Sequence, residues 1–189
     1  MLEAVGGALR ALIERDALHG SGVDVSFEAP SKAWAARRNS PTVNVYLYDI
    51  REDLERRPGG YEEIRRPVDG REVVVDRRMP PRLFALSYLV SAWTQRPEDE
   101  HRLLGALLSC LLRNPVLPSG LGAPLRMTVG LGKSKDRSAT ELWAALGGEL
   151  KPSLDVVVTA PVDPAMHQEV GPLVTEEPVV RVHDRTARS

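Results

Sequence analysis

Gly130-Leu-Gly132-Lys133-Ser134 is the one segment whose residue types and spacing suit enzymatic chemistry. A glycine-lysine-serine run of this kind closes a phosphate-binding loop, where backbone N–H groups cradle phosphate, the lysine neutralises it and the hydroxyl meets magnesium. The complete pattern needs a glycine five residues before Gly132, and Met127 stands there. The next helix signal comes only at Ser138, too late for its N-terminus to face the phosphate. Val73-Val74-Val75-Asp76 could imitate an acidic metal strand, but it precedes the loop and lies in a charged stretch.

The other reactive types fare no better. His19, His101, His167 and His183 are spread along the chain, none at a ligand spacing from another histidine or from Cys110. His101 shares a helical turn with Glu98 and Asp99, where carboxylates more often serve the helix dipole than acid-base chemistry. No serine sits in a Gly-x-Ser-x-Gly elbow, and Cys110 falls in a leucine-rich helix, where burial raises a thiol pKa. Neither catalytic residues, metal nor cofactor are expected. Arginine pairs remain: Arg37-Arg38, Arg56-Arg57, Arg65-Arg66 and Arg77-Arg78, interleaved with Asp49, Glu52, Asp53, Glu55, Glu62, Glu63, Glu72 and Asp76. Mixed charge of this kind suits a solvated or protein-binding surface better than a phosphate track.

The elements that position these groups centre on Arg82 to Leu112, a long apolar strand that turns into an amphipathic helix. From Arg82 to Trp93 both pleat faces are largely apolar, which predicts a central strand covered on both sides. Pro97 and the acids 98–100 open the helix, and Leu103, Leu104, Leu107, Leu108 and Leu111 define its apolar face. A first helix is expected over 2–19 with Gly20 as its cap. Strands are expected over 23–28, 42–50, 72–76, 125–129 and 154–159. The pattern breaks from Ser31 to Pro41, and Tyr61 to Pro81 predicts a projecting hairpin or loop carrying a single short strand. Ser138-Ala-Thr-Glu141 is a capping box that opens a short helix ending at Gly147-Gly148. Residues 161–189 carry several prolines, and Val179, Val180, Arg181 and Val182 offer one more strand, the alternative being a loose terminus.

Composition bounds the rest. The chain has 189 residues, 42% hydrophobic and 27% charged, enough for one substantial core. Its net charge of -1 and pI near 6.4 supply no global attraction to nucleic acid or anionic membrane. A single cysteine forbids an intramolecular disulfide, and no secretory signal pattern or membrane-length apolar run is seen. Lysine occurs only at 32, 133, 135 and 151; arginine dominance suits protein interfaces, but genomic codon bias is the better explanation of it.

Several segments together resemble one family. Tyr88-Leu-Val-Ser-Ala-Trp93, Glu98-Asp-Glu-His-Arg-Leu-Leu-Gly105 and Pro115-Val-Leu-Pro118 are similar to the tail-terminator, or cap, proteins of phage-tail-like contractile injection systems, often catalogued only as a domain of unknown function. Pro41-Thr-Val-Asn-Val-Tyr-Leu-Tyr-Asp49, Glu141-Leu-Trp143 and Pro152-Ser-Leu154 agree with it, over roughly residues 2 to 163. The resemblance implies a single α+β domain over 1–163, with a mixed β-sheet packed by about three helices, and a C-terminal tail over 164–189. It implies structural work: a homohexameric ring that ends the inner tube and anchors the contractile sheath, assembled in the cytoplasm as part of the particle. Itself, the tube protein and the sheath protein are the expected partners, and neither membrane nor nucleic acid is among them. Arg37, Arg38, Arg65, Arg66, Arg77, Arg78 and Val179 to Val182 are the candidate interface residues. Two alternatives stay open: a nucleotide-dependent enzyme using Lys133 and Ser134, and a nucleic-acid adaptor using the arginine pairs.

Overall fold

The computed structural model describes residues 1–68, 70–118, 124–130, 138–165 and 167–169. The described residues form two compact units, one of Met1–Gly59 with Pro81–Pro164, the other of Gly60–Pro80 with the few described residues that follow Pro164.

In the larger unit, helix α1 (Leu2–Asp16) buries Val5, Leu9, Leu12 and Ile13, a spacing that keeps one face on the core. It stops earlier than Gly20, because the Ala17 and Leu18 N–H groups both turn back to the Ile13 carbonyl. Gly20, at φ 68°, instead serves the following turn. Strand β1 (Asp24–Ser26) runs parallel to β2 (Thr42–Glu52), and a parallel pair needs a crossover. Residues 31–41, where no element is expected from sequence, supply part of it as a short helix, α2 (Lys32–Ala36), capped by Ser31 Oγ accepting from the Trp34 N–H. A 3-10 turn (Leu54–Arg56) follows β2.

Strand β5 (Arg82–Trp93) lies third in a six-stranded mixed sheet. Its partners are β2, with a bulge between Leu47 and Asp49, and β8 (Ser153–Val162), both antiparallel. Strands β7 (Leu125–Val129) and β6 (Val116–Leu117) complete that side. Helix α3 (Pro97–Arg113) joins α1 on one face of the sheet, over Val43, Val45, Leu86, Tyr88, Val90, Val156 and Val158. Its buried residues are Leu107, Cys110 and Leu111, whereas Leu108 is exposed, so the apolar stripe is rotated from the expected one.

The opposite face is covered only at one end. There Leu89 and Ser91 are buried, but Leu83, Ala85 and Ser87 remain half-exposed, so β5 is central yet not enclosed along its whole length. Helix α4 (Ala139–Ala145) opens with the expected capping box, Ser138 with Glu141, and contributes Trp143. The α+β class and mixed sheet are those expected, with four helices rather than about three among the described residues.

The smaller unit is a three-stranded antiparallel sheet. Strands β3 (Glu62–Val68) and β4 (Arg71–Arg78) form the hairpin, two strands where a single strand over 72–76 is expected, and β9 (His167–Glu169) pairs with β4. Gly70, at φ 75°, sits in its turn, a backbone geometry that glycine adopts without strain.

Candidate protein interface

Four of the six described candidate arginines lie on the β3–β4 hairpin. Antiparallel register sets Glu62 opposite Arg78 and Glu63 opposite Arg77, so like charges avoid each other across the strands. Arg78 Nε donates to Glu62 Oε2 at 2.9 Å, and Arg65 donates to Glu63 Oε2 at 2.8 Å. Arg77 lies 3.5 Å from the other oxygen of Glu63, and Arg66 is exposed. The hydrogen bond from Arg65, before any longer-range attraction, holds the Glu63 carboxyl below its usual carboxylate range. Exposed pairs of this kind contribute little stability and exchange partners readily. The hairpin therefore presents paired charge that a complementary protein surface can take over.

Arg37 and Arg38 belong to the larger unit, at the end of α2. Arg38 is fixed: its guanidinium lies 4.7 Å from the Trp34 ring centre and donates to Glu28 Oε1 at 3.4 Å. Arg37 is exposed, 4.0 Å from the same carboxylate. Val179, Val180, Arg181 and Val182 lie outside the described residues, as do Lys133 and Ser134.

A feature with no counterpart in the sequence expectations sits on the partly covered face. Trp34, from α2, meets Trp93 edge-on with ring centres 5.2 Å apart, and Trp143, from α4, lies 6.1 Å from Trp93. Trp93 Nε1 donates to Ser91 Oγ at 2.9 Å, and Asn44 Nδ2 donates to the Glu28 carbonyl at 2.8 Å. Lys151 packs 4.5 Å from the Trp93 ring centre and pairs with Glu100, whose Oε1 also accepts the Thr94 N–H. This carboxylate at the start of α3 is thus occupied as a cap and counter-ion. Beside Trp93 opens a cleft of about 620 Å³.

The remaining reactive groups are placed as follows. Cys110 lies on the buried face of α3, and that burial raises its thiol pKa. His19 and His101 are exposed, and among the described residues no cluster of His, Cys, Asp or Glu could hold a metal. Asp99, beside His101, is bonded to Arg102 at 2.9 Å. Tyr48, at the bulge of β2, reaches across the sheet to donate to Asp155 Oδ1 at 2.8 Å; burial first, then that bond, pushes its pKa up to about 12. No helix among the described residues is long and apolar enough to cross a membrane. Strand β1 pairs only with Thr42 to Asn44, so among the described residues the rest of that edge of β2 carries no strand. What these residues offer a partner is surface: an arginine hairpin, an open strand edge and an aromatic cleft.

Residues 4–176 match the Pvc16 N-terminal domain family, and the chain belongs to it. Among solved structures, the fold is similar to the sheath/tube terminator of PVC, an extracellular contractile injection system, in the extended state. That likeness has a TM-score of 0.71 and 22% identity over 98% of this chain. It is also similar to the tube-terminating cap of the anti-feeding prophage, at a TM-score of 0.62 and 23% identity over 95% of this chain. The chain spans 65% and 60% of the lengths of those two solved chains. No curated protein sequence matches it. The sequence resemblance named tail-terminator proteins of contractile injection systems, and both of these solved folds belong to a terminator or cap of such a system.

Proposed function

We propose that the chain is a structural cap of a contractile injection particle, not an enzyme: a ring, homohexameric by the family resemblance, that ends the inner tube and anchors the sheath. The observation that carries this is the family match over 4–176, joined to a terminator fold along 98% of the chain. A closed ring needs a heterologous contact, with different surfaces of each copy meeting head to tail. The hairpin arginines Arg65, Arg66, Arg77 and Arg78 and the open edge of β2 supply distinct surfaces of the required kind.

In this scheme residues 1–163 hold the scaffold and 164–189 form an interaction tail, with Val179 to Val182 pairing to a neighbour's free edge. Assembly takes place in the cytoplasm as part of the particle, with neither membrane nor nucleic acid as partner.

A gold label attached to the chain should mark one end of assembled tubes; labelling along their length, or none, would refute the role. Replacement of the four hairpin arginines by glutamine should leave the protein folded while weakening its capture by tube and sheath. Truncation after Pro161 should likewise reduce that capture.

A further inference from the structure

The chain has three tryptophans, and the fold gathers all of them beside one cleft. Trp34 and Trp143 are each 1% exposed and hold Trp93 rigidly, while Trp93 itself lines the opening. Its walls include Val23, Pro41 and Leu103, and its rim carries Arg38, Arg96 and Arg102. Asp99 is the one carboxylate among the lining residues, and Arg102 already binds it. Arg38 is matched by Glu28, whereas Arg96 has no ion pair among the described residues. An aromatic floor beneath surplus positive charge selects an extended segment in which aliphatic side chains adjoin carboxylates.

The sequence contains such a segment. Leu173-Val174-Thr175-Glu176-Glu177 sets two branched aliphatics next to two acids. From Asp163 to Val180 the charged residues are Asp163, Glu169, Glu176 and Glu177, with no lysine or arginine. The family match extends to residue 176 and so includes most of the segment.

We propose that the cleft is the docking site for residues 173–177 of a neighbouring copy, with Leu173 and Val174 against Trp93 and Leu103 and the two glutamates facing Arg96 and Arg102. The inference rests on the ring reading and names one of its contacts. Cleft and segment are different surfaces, as a heterologous contact requires.

Because every tryptophan belongs to the cluster, intrinsic emission of the full-length protein reports on the cleft. A synthetic peptide of residues 170–180, titrated into it, should give a saturable emission change. Binding should weaken about tenfold in Arg96→Glu, and equally for a peptide carrying Glu176→Gln and Glu177→Gln. Arg96 is exposed, so an unchanged unfolding midpoint certifies the variant's fold. No saturable change, or equal affinity in Arg96→Glu, would overturn the docking site. In the full chain, Glu176→Arg with Glu177→Arg should weaken self-association in the ultracentrifuge by a similar factor; equal association, or none in the wild type, would overturn the copy-to-copy assignment. Failure of the terminator role is separable: tubes would be left unlabelled while the peptide still bound.

Discussion

Replacing Trp143 with alanine tests whether the second face of the sheet is a true core. Trp143 is 1% exposed, and a tryptophan buries roughly 200 Å², which at about 25 cal/mol per Å² corresponds to about 5 kcal/mol. Its ring contact with Trp93 adds about 1 kcal/mol. Against this, Trp143 Nε1 is buried without a hydrogen-bond partner among the described residues, and its removal relieves about 2 kcal/mol. The alanine left behind recovers part of the remainder through local collapse, leaving a net loss of about 3 kcal/mol. Urea unfolding, followed by circular dichroism, should therefore show a midpoint lowered by about 1 M or more. Leu112→Ala, at a site 61% exposed, is the control and should shift stability by under about 0.5 kcal/mol. A Trp143→Ala loss no larger than that of the control would refute the packing account, and with it the rigid floor of the cleft.

Other consequences follow from the same structure. Ser138→Ala removes the hydroxyl that accepts the Glu141 N–H and should cost about 1 kcal/mol in urea unfolding. The Cys110 thiol, raised by burial, should resist a thiol reagent in the native protein and react fully once unfolded. Tyr48 keeps its proton in the native state up to about pH 12, whereas the unfolded chain releases it near 10. The native state therefore binds more protons across that window, and stability present below about pH 10 is lost as pH rises towards 12. Tyr48→Phe should reduce this alkaline loss without abolishing it, because burial pushes Tyr88 up to about 12 as well.

The parts of the fold legible in the sequence are those with long, regular burial patterns. Strand β2 announces itself by alternation, β5 and β8 by near-continuous apolar runs, and α4 by its capping box. Helix α2 does not, because five residues cannot display a period; its position rests on Ser31 and the tertiary anchor Trp34. Strand β3 is masked by its charge and by Pro67, and is held by pairing across the hairpin rather than by an apolar face. Periodicity assigned Leu108 to the core face of α3, where Cys110 lies instead: leucines mark an apolar stripe without fixing its centre.

Of the candidate interface, the charge mixture of the hairpin was legible but its pairing was not, since Glu63 with Arg77 depends on register. The tryptophan cluster joins residues from three separated elements and leaves no local spacing. Trp93 ends a long apolar strand, whereas Trp34 and Trp143 sit inside short apolar runs, and nothing links the three until β5 brings α2 and α4 to the same end of the sheet.

The central claim is that this chain ends a tube. Electron microscopy of particles assembled with and without it measures that directly. Omission should yield tubes and sheaths of uncontrolled, broadly distributed length, and restoration of the chain should return a single length. Particles of the same uniform length in both preparations would contradict the account.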